Sequence, residues 1–256
     1  MNYSIQVLQV GRQQLRGPIV FYLDRFDAWE PFVDTIIVVR GGGKTIVINS
    51  GLPPLSVLEP FWPSWPGERP WEMTATEEPA TALASIGVDP AAVDFLILTP
   101  LVYYATGHID LFSKAQICIL KRGWADFHAP ANSFYESIRS LLIPPKMLAS
   151  MVTNCFPRLR LLEDEDEILP GIRTFFAGVH HRSSMAVSID TVKGKAVFSD
   201  CFFKFRNIEE NIPIGALENL DEVEITYSRI RREANLLIPM FDPELFVRYP
   251  GGLIAE

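Results

Sequence analysis

The chain has 256 residues, of which 48% are hydrophobic and 21% charged, enough apolar material for one large core. A net charge of −8 with no basic stripe argues against nucleic acid as a partner, because phosphate binding needs clustered Lys and Arg. No apolar run reaches the roughly eighteen residues of a membrane-spanning helix, so no membrane partner is expected.

The first residues, MNYSIQVLQVGRQQ, lack a charged region followed by an apolar core, so a cytoplasmic protein is expected. Cys118, Cys155 and Cys201 are odd in number, widely spaced and flanked by apolar residues, which reads as buried thiols.

Residues 4–10 alternate polar and apolar and predict a first strand; residues 19–23 predict a second. Two β-branched runs, 35–40 and 44–49, flank Gly41-Gly42-Gly43 and predict a hairpin. The GGGK there lacks the spacing and the following helix of a phosphate loop, so it reads as a plain turn.

Residues 52–73 form a long Trp/Pro-rich loop carrying Trp62, Trp65 and Trp71. Its prolines forbid helix or central strand. A loop of this length in a compact domain is usually a lid, a binding loop or a contact surface, so Trp65 is a candidate ligand-binding residue.

A helix is expected over 76–86, ended by Gly87, and buried strands over 93–99 and 115–120. Residues 133–151 predict helices broken at Pro144-Pro145. A strand at 159–162 precedes the acidic EDEDE of 163–167, which reads as a solvated turn. Strands follow at 174–177, 185–191 and 195–199, then a helix over 217–232, a short strand at 236–239 and a closing helix over 242–248. Strands dominate both halves without βαβ alternation, which predicts two packed sheets with outer helices in one domain spanning 1–256.

Several segments together, IVINSG (46–51), FLILTPLVYYATGHIDLF (95–112), GVHHRSSMAVSIDTVKGKAVFSDC (178–201) and LLIPMFDPELF (236–246), resemble the metallo-β-lactamase superfamily, most of all its N-acyl-homoserine-lactonase-like branch. The resemblance implies an α+β fold, a four-layer αββα sandwich with the site along one edge. In active members a THxHxDHxG segment, two later His and an Asp hold two metal ions that activate water and polarise a carbonyl.

Carried onto this chain, the resemblance puts the first His positions on Pro100, Val102 and Ala105, and the Asp position on Tyr104. It puts the later ligands on His180, Asp200 and Phe241, and the Asp of the family's DTG turn on Asn49. Only His180 and Asp200 keep a ligand residue type, so no cofactor and no two-metal centre is expected. A metal cluster has given way to apolar and phenolic groups, which leaves fewer unpaired buried charges.

Three functions are compatible with this. The first is a non-catalytic pseudoenzyme that binds a small ligand, or pairs as an oligomer with an active homologue. The second is a metal-independent hydrolase of lactone- or ester-like substrates, using His180 and Asp200 with Tyr103 or Tyr104. The third is a rearranged mononuclear metal hydrolase drawing on His180, His181 or His108, and Asp200. His181, Arg182 and Phe241 are further candidate ligand-binding residues. Tyr103 and Tyr104 are adjacent, so one of them is expected in the core. A hydrogen bond between His180 and Asp200 is the expected non-catalytic reason for their presence. The expected pocket is largely apolar, with those two residues as its polar remnants.

Overall fold

The computed structural model of the chain describes residues 1–62 and 67–256. Trp65, a candidate ligand contact, lies outside the described residues.

The strands are β1 (Ser4–Arg16), β2 (Trp29–Gly41), β3 (Lys44–Ile48), β4 (Phe95–Ile97), β5 (Gln116–Leu120), β6 (Leu159–Leu162), β7 (Glu165–Leu169), β8 (Ile172–Phe176), β9 (Met185–Thr191), β10 (Gly194–Ser199), β11 (Leu236–Pro239) and β12 (Leu253–Ala255). They form a seven-stranded sheet, ordered β12-β1-β2-β3-β4-β5-β6, and a five-stranded sheet, ordered β11-β10-β9-β8-β7. β3 to β6 run parallel, as do β10 and β11; the remaining pairs are antiparallel.

The side-chain period of two explains how the large sheet is covered on both faces. Ile37, Val39, Ile46, Ile48, Ile97, Cys118 and Leu120 join the core shared with the second sheet. Their chain neighbours Ile36, Val38, Val47, Leu96, Ile117 and Ile119 join a second core on the opposite face. There they meet Leu83 of the helix Pro79–Ser85, Phe127 of Lys121–His128, and Met147 and Met151 of Pro145–Val152. On the small sheet, Val223, Tyr227 and Ile230 of the helix Asp221–Glu233 bury one face of that helix. Helices therefore lie outside both sheets, giving the expected α+β layering. All three cysteines are buried free thiols. Among the described residues, no helix is long and apolar enough to cross a membrane.

Several local expectations need correction. Residues 19–23 do not form a strand: Gly17–Val20 is a helical turn with Pro18 in its first positions, where a missing N–H costs nothing. The acidic run is not a turn throughout, since Glu165, Asp166 and Glu167 enter β7. Each meets an arginine from another element: Arg229 at 2.5 Å, Arg160 at 2.8 Å and Arg173 at 3.3 Å. Trp71 is core rather than lid, only 3% exposed, and its Nε1 donates to the Tyr103 hydroxyl at 3.3 Å.

Candidate functional site

The parallel run of β3 and β4 brings their C-terminal ends to one edge, and Asn49 ties them together. Its Nδ2 donates to the Thr99 carbonyl at 3.0 Å, and its Oδ1 accepts from the Thr99 N–H at 2.9 Å. Asn49 sits at φ 64, a left-handed conformation that Asn tolerates better than most residues. Thr99 in turn links the two sheets, because its Oγ1 accepts from the Met185 N–H at 2.6 Å.

Downstream, the Ser50 hydroxyl donates to the Ala105 carbonyl at 2.9 Å, and Gly107 N–H donates to the Gly51 carbonyl at 3.0 Å. A Cβ on Gly107 would lie 2.2 Å from the Pro53 nitrogen, so only glycine fits. These bonds fix the short helix Tyr103–Thr106 at the mouth of the edge.

Aromatic rings fill that edge. Phe241 stacks on Phe32 with centroids 4.3 Å apart. It meets Tyr104 edge-on at 5.3 Å and Phe203 at 5.2 Å. Tyr103 packs edge-on against Tyr104 at 5.1 Å. His180 lies edge-on to Phe203 at 4.9 Å, with the His181 ring 3.9 Å from it.

His180 and Asp200 do not bond to each other, against expectation. His180 Nδ1 is hydrogen-bonded to the Ala216 carbonyl. Asp200 Oδ2 accepts from the Ser184 hydroxyl at 2.7 Å, and its Oδ1 has no partner among the described residues. Burial pushes the Asp200 carboxyl up to about 7. Burial, reinforced by the neighbouring His181, holds His180 well below the usual imidazole range. Burial also takes His181 down to about 3. Both imidazoles are therefore neutral at pH 7, and His181 Nδ1 donates to Glu218 Oε1 at 3.0 Å. Arg182 is paired with Glu222 at 2.9 Å and lines a small cavity with His181 and Glu218.

Beside the aromatic cluster lies a cavity of about 420 Å³, a size that suits a small organic ligand. Tyr103 and Tyr104 both line it, so neither is purely core, contrary to expectation. His180 and His181 line it with Glu68 and Glu218; Asp200, fully buried, does not. A smaller inner lobe adjoins it, where Phe241, Phe32 and Gln13 join Glu68, Tyr104 and His180. The pocket is largely apolar, as expected, but its polar groups are His180, His181, Glu68 and Glu218 rather than His180 and Asp200. Glu68, Glu218 and Gln13 were not legible as site residues, since they sit on a loop, a helix approach and an ordinary strand with no motif around them.

The two-metal centre of the fold family does not fit these side chains. Pro100, Val102, Ala105 and Phe241 offer no donor atom, and the Nδ1 of His180 is occupied by a backbone carbonyl. Among the described residues, no group of three or more His, Cys, Asp or Glu side chains could hold a metal ion. His108 stands apart from His180, lining a separate cavity with Lys146 and Met147.

No protein-family profile and no curated protein matches the chain. Solved structures do match. An N-acyl homoserine lactone hydrolase with N-hexanoyl-L-homoserine bound at its catalytic metal centre aligns with TM-score 0.77 at 14% identity, covering 97% of each chain. A probable metal-dependent hydrolase from Staphylococcus aureus aligns at TM-score 0.75 and 15% identity, over 94% of this chain and 90% of that one. AbOPH, a hydrolase of the β-lactamase superfamily, aligns at TM-score 0.70 and 14% identity, over 98% and 89%. The solved structures it resembles are metallo-β-lactamase superfamily members, N-acyl homoserine lactonases among them, and the chain shares their fold: an α+β metallo-β-lactamase-like sandwich.

Proposed function

We propose that this protein is a non-catalytic member of the lactonase-like fold, a pseudoenzyme whose cleft binds a small amphipathic ligand. One observation carries the reading. The edge that would hold metal is packed with Phe241, Phe32, Tyr104 and Phe203, while the 420 Å³ cavity beside it stays open. Hydrolysis of an ester or lactone needs an activated nucleophile and a base with a pKa near the working pH. Imidazoles held this far below their usual range are weak bases. The Cys201 thiol is fully buried and pushed upward by that burial, the reverse of an activated nucleophile.

The second reading, a metal-independent hydrolase of lactone-like substrates, draws support from a different pair than His180 and Asp200. His181 and Glu218 form a hydrogen-bonded imidazole–carboxylate dyad on the cavity wall. Assay of the purified chain with a panel of lactones and esters, with and without added zinc, iron and manganese, separates these. No turnover above background is expected. Metal-free turnover lost in His181→Ala would replace the binding reading with the second. Metal-dependent turnover lost in Asp200→Asn would overturn both.

A further inference from the structure

The inner lobe has a hydrogen-bonding character that the apolar walls around it do not explain. Gln13 is 8% exposed and Tyr104 7% exposed, and Gln13 Oε1 and the Tyr104 hydroxyl have no partner among the described residues. Both face the lobe that Glu68 also lines. Buried polar atoms are nearly always paired, so unpaired ones that line a cavity mark a place where something else supplies the partner. A donor suits all three: the Glu68 carboxylate and the Gln13 amide oxygen only accept, and the Tyr104 hydroxyl can accept as well as donate.

Charge points the same way. Among the described residues, neither lobe is lined by a lysine or an arginine. No ion pair or hydrogen bond engages the Glu68 carboxylate among the described residues, and burial pushes it up to about 7. Tyr103 and Tyr104 line the same lobe as Glu68. A ligand carboxylate or phosphate could accept from the Tyr104 hydroxyl but would meet the like charge of Glu68 and the Gln13 amide oxygen there. A cation would meet an unpaired carboxylate between aromatic rings, the combination that favours ammonium groups.

We propose that the ligand of this cleft is a primary amine, with its ammonium head in the inner lobe donating to Glu68, Gln13 and Tyr104, and an apolar tail along the outer cavity. This rests on the reading of the cleft as a binding site. An ammonium group has three donors and no acceptor, matching the three acceptors in number and kind. The outer cavity gives the tail Val102, Ile138, Leu142 and Leu217 to lie against. A hydrophilic monatomic cation would gain nothing from that wall.

Calorimetric titration of the full chain at pH 7.5 with octylammonium, octanoate, octanol and octyltrimethylammonium tests this. Octylammonium is expected to bind at least about tenfold tighter than each of the others, since a charge-assisted hydrogen bond contributes on that scale. Glu68→Gln should weaken octylammonium about tenfold and leave octanol unchanged. Tyr104→Phe should weaken it severalfold; thermal melts of both variants verify folding. Octanoate, octanol or octyltrimethylammonium binding as tightly as the primary amine, or Glu68→Gln leaving the amine unaffected, would overturn the amine assignment and leave the cleft as a binding site for another ligand. If none of the four probes nor any lactone binds, the binding reading falls with it.

Discussion

Phe241 lies flat on Phe32, their ring centroids 4.3 Å apart and their planes 18° from parallel, where the lactonase resemblance puts a metal-ligating histidine. Phe241 is thus the centre of an aromatic cluster that joins the β11 end to β2. Truncating it should empty a fully packed site. Phe241→Ala is expected to cost about 3 to 5 kcal/mol of stability, read by urea denaturation. Phe241→His should also destabilise and should bind no zinc, because its neighbours are rings and not ligands. A loss under about 1 kcal/mol in the alanine variant would mean the cluster is not packed as described.

Asp200 gives a pH signature. Burial raises its folded pKa from 3.8 to about 7. Between those values the native state holds a proton that the unfolded chain has lost, so its contribution to stability is present at low pH and fades as pH rises toward 7. That displacement corresponds to about 4 kcal/mol. His180 and His181 act oppositely. Their folded pKa values lie below the usual 6.5, so they reduce stability as pH falls through that value. Asp200→Asn should remove only the first effect. Denaturation midpoints at pH 5 and pH 8 should show the variant gaining on the wild type at pH 8. An equal difference at both values would contradict the assignment.

Asn49 should resist replacement by the acid that the DTG turn of the family carries. An Asp there cannot donate to the Thr99 carbonyl and would bring its negative oxygen against it. Asn49→Asp is expected to lose about 1 to 3 kcal/mol, with a further loss as pH rises above the carboxyl pKa. A variant as stable as the parent at pH 8 would mean that the Asn49–Thr99 brace does not hold the strand ends.

The Tyr104 hydroxyl separates stability from binding. It is buried without a partner among the described residues, so removing it leaves no described group unpaired. Tyr104→Phe should melt at the same temperature as the parent or higher, whereas a structural hydroxyl would lower the midpoint.

Much of the fold was legible because each strand carries its own period. Ile36 and Val38 alternate with Ile37 and Val39, and the two sets do go to different cores. The clustering of Tyr103, Tyr104, His180 and Phe241 at one edge was expected from the segments that carry the resemblance, and the rings do meet there. Elsewhere the outcome depended on contacts between distant segments. Pro18 starts a helical turn because the chain must bend there, with Gly17 so close to Arg25 that a Cβ would lie 2.1 Å from its carbonyl oxygen. The run of 163–167 becomes partly strand because arginines from three elements neutralise it. Glu68 gains its place from an isolated bridge to Leu15, some fifty residues earlier, which no local pattern announces. Glu218 is drawn in by His181 and the Arg182 N–H, again across the chain.

The central claim, that aromatic packing has replaced metal at this edge, is tested most directly by metal content. Protein purified without chelator should carry far less than one zinc, iron or manganese per chain by elemental analysis, and added zinc should leave its melting temperature unchanged. Stoichiometric metal that raises the melting temperature, and is lost in His180→Ala and Asp200→Asn, would contradict it.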